Sequence, residues 1–397
     1  MNPLLIQIGV CLGIFSFAVP VEWNFTGIIL CVIGIYAVWG GGRAASFGVD
    51  SPFFFPIVAF LAVTILTTTT SRDISKSLWL GVSLFPASFV FYLIAEYFVS
   101  VSAIRLLFIA YTTLIFALSS ALLTTAWNNP NAKGPSIWIS ELSNPLLLVP
   151  NDTTLFVLFA PFSLALLYLS PRSAVGCFAA ISLILSTITV VIYQNGVALI
   201  SFLVMLGALL AVLNVRFVLS TIVIILLLGL MTDAVLGWPL IDKFVRFSQN
   251  LDPRLTLWLA AWAIFLDHPL LGYGPHTFGV VYGSYVQQLW FPEWLATDPR
   301  HTPWAHNLYL ETLAEQGIFG ILALGFLLYQ ALRTSWKVVQ STASTLRVFA
   351  LAIFAGWICF SVASLFELTF KRLWVWVGFA TLLGTTAGMW LLAKRGK

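Results

Sequence analysis

Apolar residues run along this chain in long continuous stretches separated by short polar breaks, a pattern that favours membrane-spanning helices over a barrel. With about 20 apolar residues required per crossing, the positions of charges, Pro/Gly clusters and Asn-rich stretches predict twelve spans. They cover residues 4–19, 25–39, 53–68, 77–96, 103–124, 153–169, 173–192, 196–212, 215–231, 306–331, 346–366 and 373–392. One polar break is far longer than the rest, roughly residues 232–305. It carries seven of the 18 prolines and six of the 16 tryptophans, and all four histidines lie within it or at its edge. The expected fold class is therefore all-α and polytopic, with about twelve transmembrane helices and a large water-facing loop containing short helices between spans nine and ten. The expected organisation is residues 1–231 for spans one to nine, 232–305 for the loop with its surface helix, and 306–397 for the last three spans and the tail.

Composition agrees with this reading. The chain is 60% apolar and only 9% charged, with a mean hydropathy of +0.98, whereas soluble domains carry about 25% charge. The net charge of +4 is modest and no nucleic-acid motif accompanies it, so no nucleic-acid partner is expected. The distribution of that charge says more than its sum, because Lys and Arg of short loops accumulate on the cytoplasmic side. Arg43, Arg172, Arg216, Arg333, Lys337, Arg347, Lys394, Arg395 and Lys397 fall on one side of the predicted spans. Arg72, Lys76, Lys133, Lys371 and Arg372 fall on the other. Nine against five predicts both termini in the cytoplasm and the long loop outside, which in a Gram-negative cell is the periplasm. The first apolar run starts at Pro3 without a basic leader or a clear small-residue cleavage site, and is read as a span, not as a signal peptide. Residues 125–150, with Trp127-Asn128-Asn129-Pro130-Asn131, read as an ordinary outer loop. Cys11, Cys31, Cys177 and Cys359 lie in apolar runs without CxxC spacing, which makes inert thiols the expectation.

The chemistry concentrates in two stretches. In Asp252-Pro253-Arg254-Leu255-Thr256-Leu257-Trp258, Asp at the cap and Pro at the first position predict a helix start. The apolar run that follows is too short to span, so it should lie along the membrane surface with Trp258 and Trp262 as interfacial anchors. Arg254 in a first turn opposes the helix dipole. An Arg beside free helix N–H groups suits a phosphate or diphosphate; a lipid headgroup, or pairing with Asp252 or Asp242, is the plainer alternative. In the second stretch, His301-Thr302-Pro303-Trp304-Ala305-His306-Asn307, Thr302 and Pro303 are expected to open span ten and to place His306 about one turn in. A helix N-terminus disfavours a protonated imidazole, and the neutral ring can take a proton from a hydroxyl. Glu311 and Glu315 follow one turn apart and should face the protein interior, since carboxylates in a span must pair or line a cavity. His268, His276 and His301 read as turn or loop residues. No His pair has i, i+4 or His-x-His spacing, so no metal and no other cofactor is expected.

At this point the sequence resembles a known family. His306-Asn307-Leu308-Tyr309-Leu310-Glu311, followed by Glu315, Gly317 and Gly320, is similar to the H-N-x-x-L-x-x-x-x-E-x-G signature of the O-antigen ligase family, whose superfamily includes polysaccharide polymerases and protein O-oligosaccharyltransferases. Arg254-Leu255-Thr256-Leu257-Trp258 and His268-Pro269-Leu270-Leu271-Gly272-Tyr273-Gly274 resemble its R-x-x-x-W and H-P-x-x-G-x-G blocks. The similarity covers residues 185 to 325, and the amino-terminal spans match in hydropathy alone.

The resemblance implies a metal-independent, inverting transfer of a glycan from an undecaprenyl diphosphate carrier to an acceptor hydroxyl, on a glycolipid or polysaccharide, at the outer face of the inner membrane. It further implies His306 as general base and Arg254 as a diphosphate ligand, with Asn307, Glu311 and Glu315 lining the substrate site. The family also places a Ser-Arg-Gly between spans seven and eight, where this chain has Asn195, which cannot supply a charge. Arg72, Lys76, Lys371 and Arg372 are then the outer cations able to replace it, and Lys371 or Arg372 is favoured because their loop joins the two spans after the His306 helix. Membrane lipids are the remaining expected partners. A twelve-span transporter or flippase is the competing class, but the long loop follows span nine on the outside, and few charges lie deep in the spans to couple an ion.

Overall fold

The computed structural model describes residues 2–16, 23–39, 50–128, 153–210, 214–237, 241, 247–288, 304–342 and 344–395. Arg43, Lys133, Asp242, His301, Thr302, Pro303 and Lys397, all used in the sequence reading, lie outside them. Among the described residues the regular elements are all helices, and there is no strand. In chain order the helices are α1 (Pro3–Phe15), α2 (Trp23–Trp39), α3 (Phe54–Thr69), α4 (Ile74–Leu78), α5 (Leu80–Tyr97), α6 (Val101–Asn128), α7 (Thr154–Leu169), α8 (Ala174–Ile192), α9 (Gly196–Leu210), α10 (Val215–Val235), α11 (Phe247–Asp267), α12 (Phe278–Gln288), α13 (Leu308–Ser341), α14 (Ser344–Ala363) and α15 (Leu373–Arg395).

Among the described residues, seven stretches are long and apolar enough to cross a membrane: 74–97 (α4 with α5), α6, α8, α10, α13, most of α14 and α15. Shorter apolar helices in α1, α2, α3, α7 and α9 occupy the other five segments read from the sequence. The chain is a multi-pass membrane protein. With no water to satisfy backbone groups in hydrocarbon, the helices satisfy their own, and their association rests on close packing more than on apolar burial. The α5–α15 contact shows this: a Cβ on Gly384 would sit 2.8 Å from the carbonyl oxygen of Phe91, so the glycine lets the two backbones approach. α15 is the central helix, buried along most of its length by α5, α13 and α14, whereas α10 stands at the periphery with most of its surface bare. Side-chain hydrogen bonds tie the interior together, including Trp357 Nε1 to Thr386 Oγ1 at 3.0 Å and Thr112 to Ser163 at 3.0 Å.

Two helix starts differ from expectation. α11 begins at Phe247, not at Asp252, which puts Pro253 inside the helix and Arg254 past its first turn. A proline inside a helix gives up one hydrogen bond, to the carbonyl four residues back, and α11 accommodates that loss at Pro253. The second helix is opened by Asn307, whose Oδ1 accepts from the N–H groups of Tyr309 and Leu310, both at 3.0 Å. Asn is among the strongest capping residues because its short side chain reaches these orphan donors. His306 therefore precedes the helix, in left-handed backbone at φ 51°, and not one turn into it.

α13 is broken near its start. Gly317 adopts φ 64°, ψ −160° and divides the helix into a short outer piece, residues 308–316, and a longer one, residues 318–341. The break opens the helical bonds that Ile318 and Phe319 would make to Ala314 and Glu315. The loop after α11 takes over all four groups. Tyr273 N donates to Ala314 O at 3.0 Å and Gly274 N to Glu315 O at 2.8 Å, while Ile318 N donates to Pro269 O at 2.8 Å and Phe319 N to Leu270 O at 3.4 Å. Buried backbone groups are almost always paired, so opening the helix here requires this loop. The approach is so close that a Cβ on Gly272, at φ 66°, would lie 2.3 Å from the carbonyl carbon of Glu315, and one on Gly317 would lie 2.4 Å from that of Leu270. From the other side, the α3–α4 turn and α4 support the same loop through Arg72 N to Tyr273 O at 3.1 Å and Ser77 Oγ to Pro275 O at 2.7 Å, respectively.

Candidate active site

The docked loop, the start of α13 and the α14–α15 connection meet over one end of the bundle, and their ionisable residues form two adjoining clusters. Glu367, from the α14–α15 connection, is the centre of the first. Its Oε2 accepts from Arg254 Nη2 at 3.1 Å, and its Oε1 lies 3.3 Å from His306 Nδ1. The carboxylate is buried. Burial pushes its pKa up, but His306, Arg254 and Arg372 together outweigh burial and hold it below the usual carboxylate range. Arg372 approaches from the same connection, with its guanidinium carbon 4.7 Å from the centre of the Trp304 ring, and Trp304 in turn lies 5.5 Å from the His306 ring. A desolvated guanidinium over an indole face is an attractive arrangement.

The second cluster fixes the geometry of the first. Glu311 accepts from the N–H of Ala305 at 3.0 Å and from the Thr369 hydroxyl, so one carboxylate joins the approach to His306 with the connection that carries Glu367. Leu308 N adds a bond to Ser364 O at 2.8 Å. Glu315 accepts from the backbone N–H groups of His276 at 2.8 Å and Phe278 at 2.9 Å, and its Oε1 lies 3.7 Å from Lys371 Nζ. Buried carboxylates are tolerated when every oxygen is matched in this way. His276 sits in left-handed backbone at φ 62°. Burial, with a smaller contribution from Lys371, pushes its pKa down to about 4, against an opposing bond to the Phe370 backbone. It is a neutral structural ring near pH 7.

The structure thus brings together Arg254, His306, Glu311, Glu315, Lys371 and Arg372, and it adds Glu367, Trp304 and Thr369, which the sequence reading did not single out. The signal for Glu367 was present, since a carboxylate in an otherwise apolar stretch just before Lys371-Arg372 must be paired to be buried. Arg254 finds a carboxylate there. Of the remaining expected residues, Arg72 is exposed beside the docked loop and uses its backbone to hold Tyr273. Asn307 spends its side-chain oxygen on the cap of α13. Asn195 is buried at the α8–α9 turn, where Nδ2 donates to Thr153 at 2.8 Å and Thr154 at 3.0 Å and Oδ1 accepts from Ala198 N at 3.0 Å. Trp258 is half-buried with its ring 6.2 Å from Phe366, whereas Trp262 is exposed on the outside of α11. Among the described residues, no group of three or more His, Cys, Asp and Glu side chains is arranged to hold a metal.

Chemically, the first cluster pairs an imidazole with a carboxylate on one ring nitrogen and sets two guanidinium groups beside it. That combination can take a proton from a nucleophile while stabilising an anionic leaving group. Among known families, the sequence model of the O-antigen ligase family fits residues 155–325. The match includes Arg254, the docked loop, His306 and the Gly317 break, and it ends before Glu367, Lys371 and Arg372. No curated protein matches the chain.

Proposed function

We propose, from the match of residues 155–325 to the O-antigen ligase family model, that the protein moves a glycan from undecaprenyl diphosphate to an acceptor hydroxyl at the periplasmic face of the inner membrane. The proposed acceptor is the lipid A-core glycolipid. The observation that carries this reading is the Arg254–Glu367–His306 arrangement, in which one buried carboxylate contacts both a cation and the imidazole.

A carboxylate beside Nδ1 favours the tautomer with its proton there, which leaves Nε2 as the acceptor. In the proposed step the acceptor oxygen attacks the anomeric carbon from the face opposite the leaving group. The new C–O bond forms as the bond to the diphosphate oxygen breaks, with inversion. The hydroxyl proton passes to His306 Nε2, and the electron pair leaves with undecaprenyl diphosphate. Arg254 and Arg372 stabilise the charge that develops on the leaving oxygen, where fixed cations in a low-dielectric site act most strongly. Arg254 carries five N–H donors, so its bond to Glu367 leaves others for phosphate. Lys371 is matched to Glu315, which favours Arg372 over Lys371 as the counterpart of the arginine that the family resemblance placed at Asn195. Arg72 stands at the rim as a further cation for the approaching donor. No metal takes part in the proposed step.

Twelve crossings with both termini cytoplasmic complete the proposal, supported by nine cations against five in the short loops. The domain limits follow, at 231 and 305. A polymerase or protein O-oligosaccharyltransferase would use the same site with a second lipid-linked glycan or a protein hydroxyl as acceptor. Mass spectrometry of glycolipids and glycoproteins from cells lacking the protein tests the proposal directly: lipid A-core without its glycan is expected. Intact lipid A-core glycan with loss of polymer length or of a glycoprotein would move the assignment to one of those relatives.

A further inference from the structure

Trp304 stands between the two residues to which the proposed reaction gives different tasks, with Arg372 over its ring and the His306 ring beside it. Its indole nitrogen is buried and finds no acceptor among the described residues. Leaving a buried donor unpaired costs free energy that folding normally avoids, and two fully packed indoles in this chain obey the rule. Trp357 donates to Thr386 at 3.0 Å and Trp376 to the Phe370 carbonyl at 2.7 Å. Trp258 Nε1, one turn after Arg254 on α11, is unpaired as well; Trp304 differs from it in lying against both Arg372 and His306, where an acceptor can arrive with a ligand.

We propose that Trp304 is a substrate-binding residue whose indole N–H donates to an oxygen of the donor's diphosphate while its ring holds Arg372 in place for the same group. The chemistry selects a diphosphate over a neutral sugar. A guanidinium and an indole N–H are donors only, and adjoining donors fit an oxygen-rich anion that accepts from each of them. A sugar hydroxyl also needs an acceptor for its own proton, and the carboxylate of this cluster, Glu367, is already engaged with Arg254 and His306. Trp304 lies outside both blocks of the family resemblance, in the Thr302-Pro303-Trp304 approach to His306. The inference rests on the lipid-diphosphate reading given above.

The test uses the purified full-length chain, titrated calorimetrically with farnesyl diphosphate and, as a control, farnesol. Trp304→Phe keeps an aromatic face for Arg372 and removes the N–H. It should weaken farnesyl diphosphate binding about tenfold, the size of one hydrogen bond to a charged group. Farnesol binding and the ligand-free melting temperature should not change. Trp304→Ala removes the ring as well and should weaken binding further. In turnover, Trp304→Phe should raise the KM for the lipid-linked donor by the same factor with kcat little altered. Wild-type affinity in Trp304→Phe, alongside lost binding in Arg254→Ala, would overturn the role of Trp304 and leave the diphosphate reading intact. Failure of the wild-type chain to bind farnesyl diphosphate would remove both. A fall in the ligand-free melting temperature that accounts for the lost binding would make Trp304 a structural residue only.

Discussion

Nδ1 of His306 lies 3.3 Å from Oε1 of Glu367, although two membrane-length helices, α13 and α14, separate these residues along the chain. The contact gives the imidazole a fixed neighbour for one nitrogen. Since the same carboxylate also binds Arg254, a change at Glu367 reaches both residues at once.

Glu367→Gln retains the shape of the side chain and removes its charge. Turnover should fall by about 10²-fold or more, the range that positioned proton transfer contributes, with normal yield in the membrane. Wild-type turnover would take Glu367 out of the reaction.

The pH dependence of stability should carry the same signature. Despite its burial, His306, Arg254 and Arg372 hold Glu367 below the usual range. A carboxylate whose folded pKa is depressed contributes stability that is present above its unfolded value, about 4.3, and is lost as pH falls through the lower folded value. Melting temperatures of the wild-type chain should therefore show no Glu367 contribution to acid loss from about pH 7 to about pH 5. An acid limb should appear below that, and it should be shallower in Glu367→Gln. Identical acid limbs would contradict the pairing.

His306→Ala and Arg254→Ala should fail differently. The first should lower kcat by about 10²–10⁴-fold while the donor still binds, because only proton transfer is lost. The second should lose affinity for the diphosphate donor. Single-turnover and binding measurements on the two purified variants separate these outcomes, and wild-type turnover in His306→Ala would refute the base assignment.

Gly317→Ala and Gly272→Ala should be among the more damaging small substitutions. Each adds a Cβ at positive φ and within 2.4 Å of backbone in the facing segment, so the cost should be about 1–3 kcal/mol of strain plus the inter-segment bonds that are pushed apart. Thermal unfolding should show both variants destabilised, with turnover lost in parallel. A melting temperature equal to wild type would mean that the segments can separate without consequence.

Lys371→Met leaves Glu315 with an unmatched buried charge and should cost about 3 kcal/mol or more. Glu315→Gln, whose amide nitrogen must face one of the backbone donors of His276 and Phe278, should nevertheless cost less in this chain than in the wild type, since the two changes share one interaction. Additive losses in the double-mutant cycle would show that the 3.7 Å approach contributes no coupling.

The polytopic helical class was legible because the bilayer enforces it: 60% apolar composition in long runs leaves few other ways to satisfy the backbone. His306 and Arg254 were legible because their neighbours form recurrent blocks, His-Asn with a following Glu-x-Gly and Arg with Trp four residues on. The sequence placed both residues at helix starts, however, and the structure places neither inside a first turn. Asn307, not Thr302, caps α13, and α11 begins at Phe247, before Pro253. Such choices depend on packing energies that local propensity does not contain.

By itself, then, the sequence determined what local chemistry and solvent preference determine: apolar helices, a long polar break, the glycines of the docked loop, and the residue types able to move a proton or bind an anion. Only the tertiary structure decided which carboxylate meets which cation. Glu367, Lys371 and Arg372 arrive from a connection far along the chain, and the break at Gly317 matters because the loop of Gly272 is there to take its four backbone groups. Pairing between distant segments is selected by the cost of leaving buried charges and backbone donors unmatched, and that cost arises only once the helices have packed.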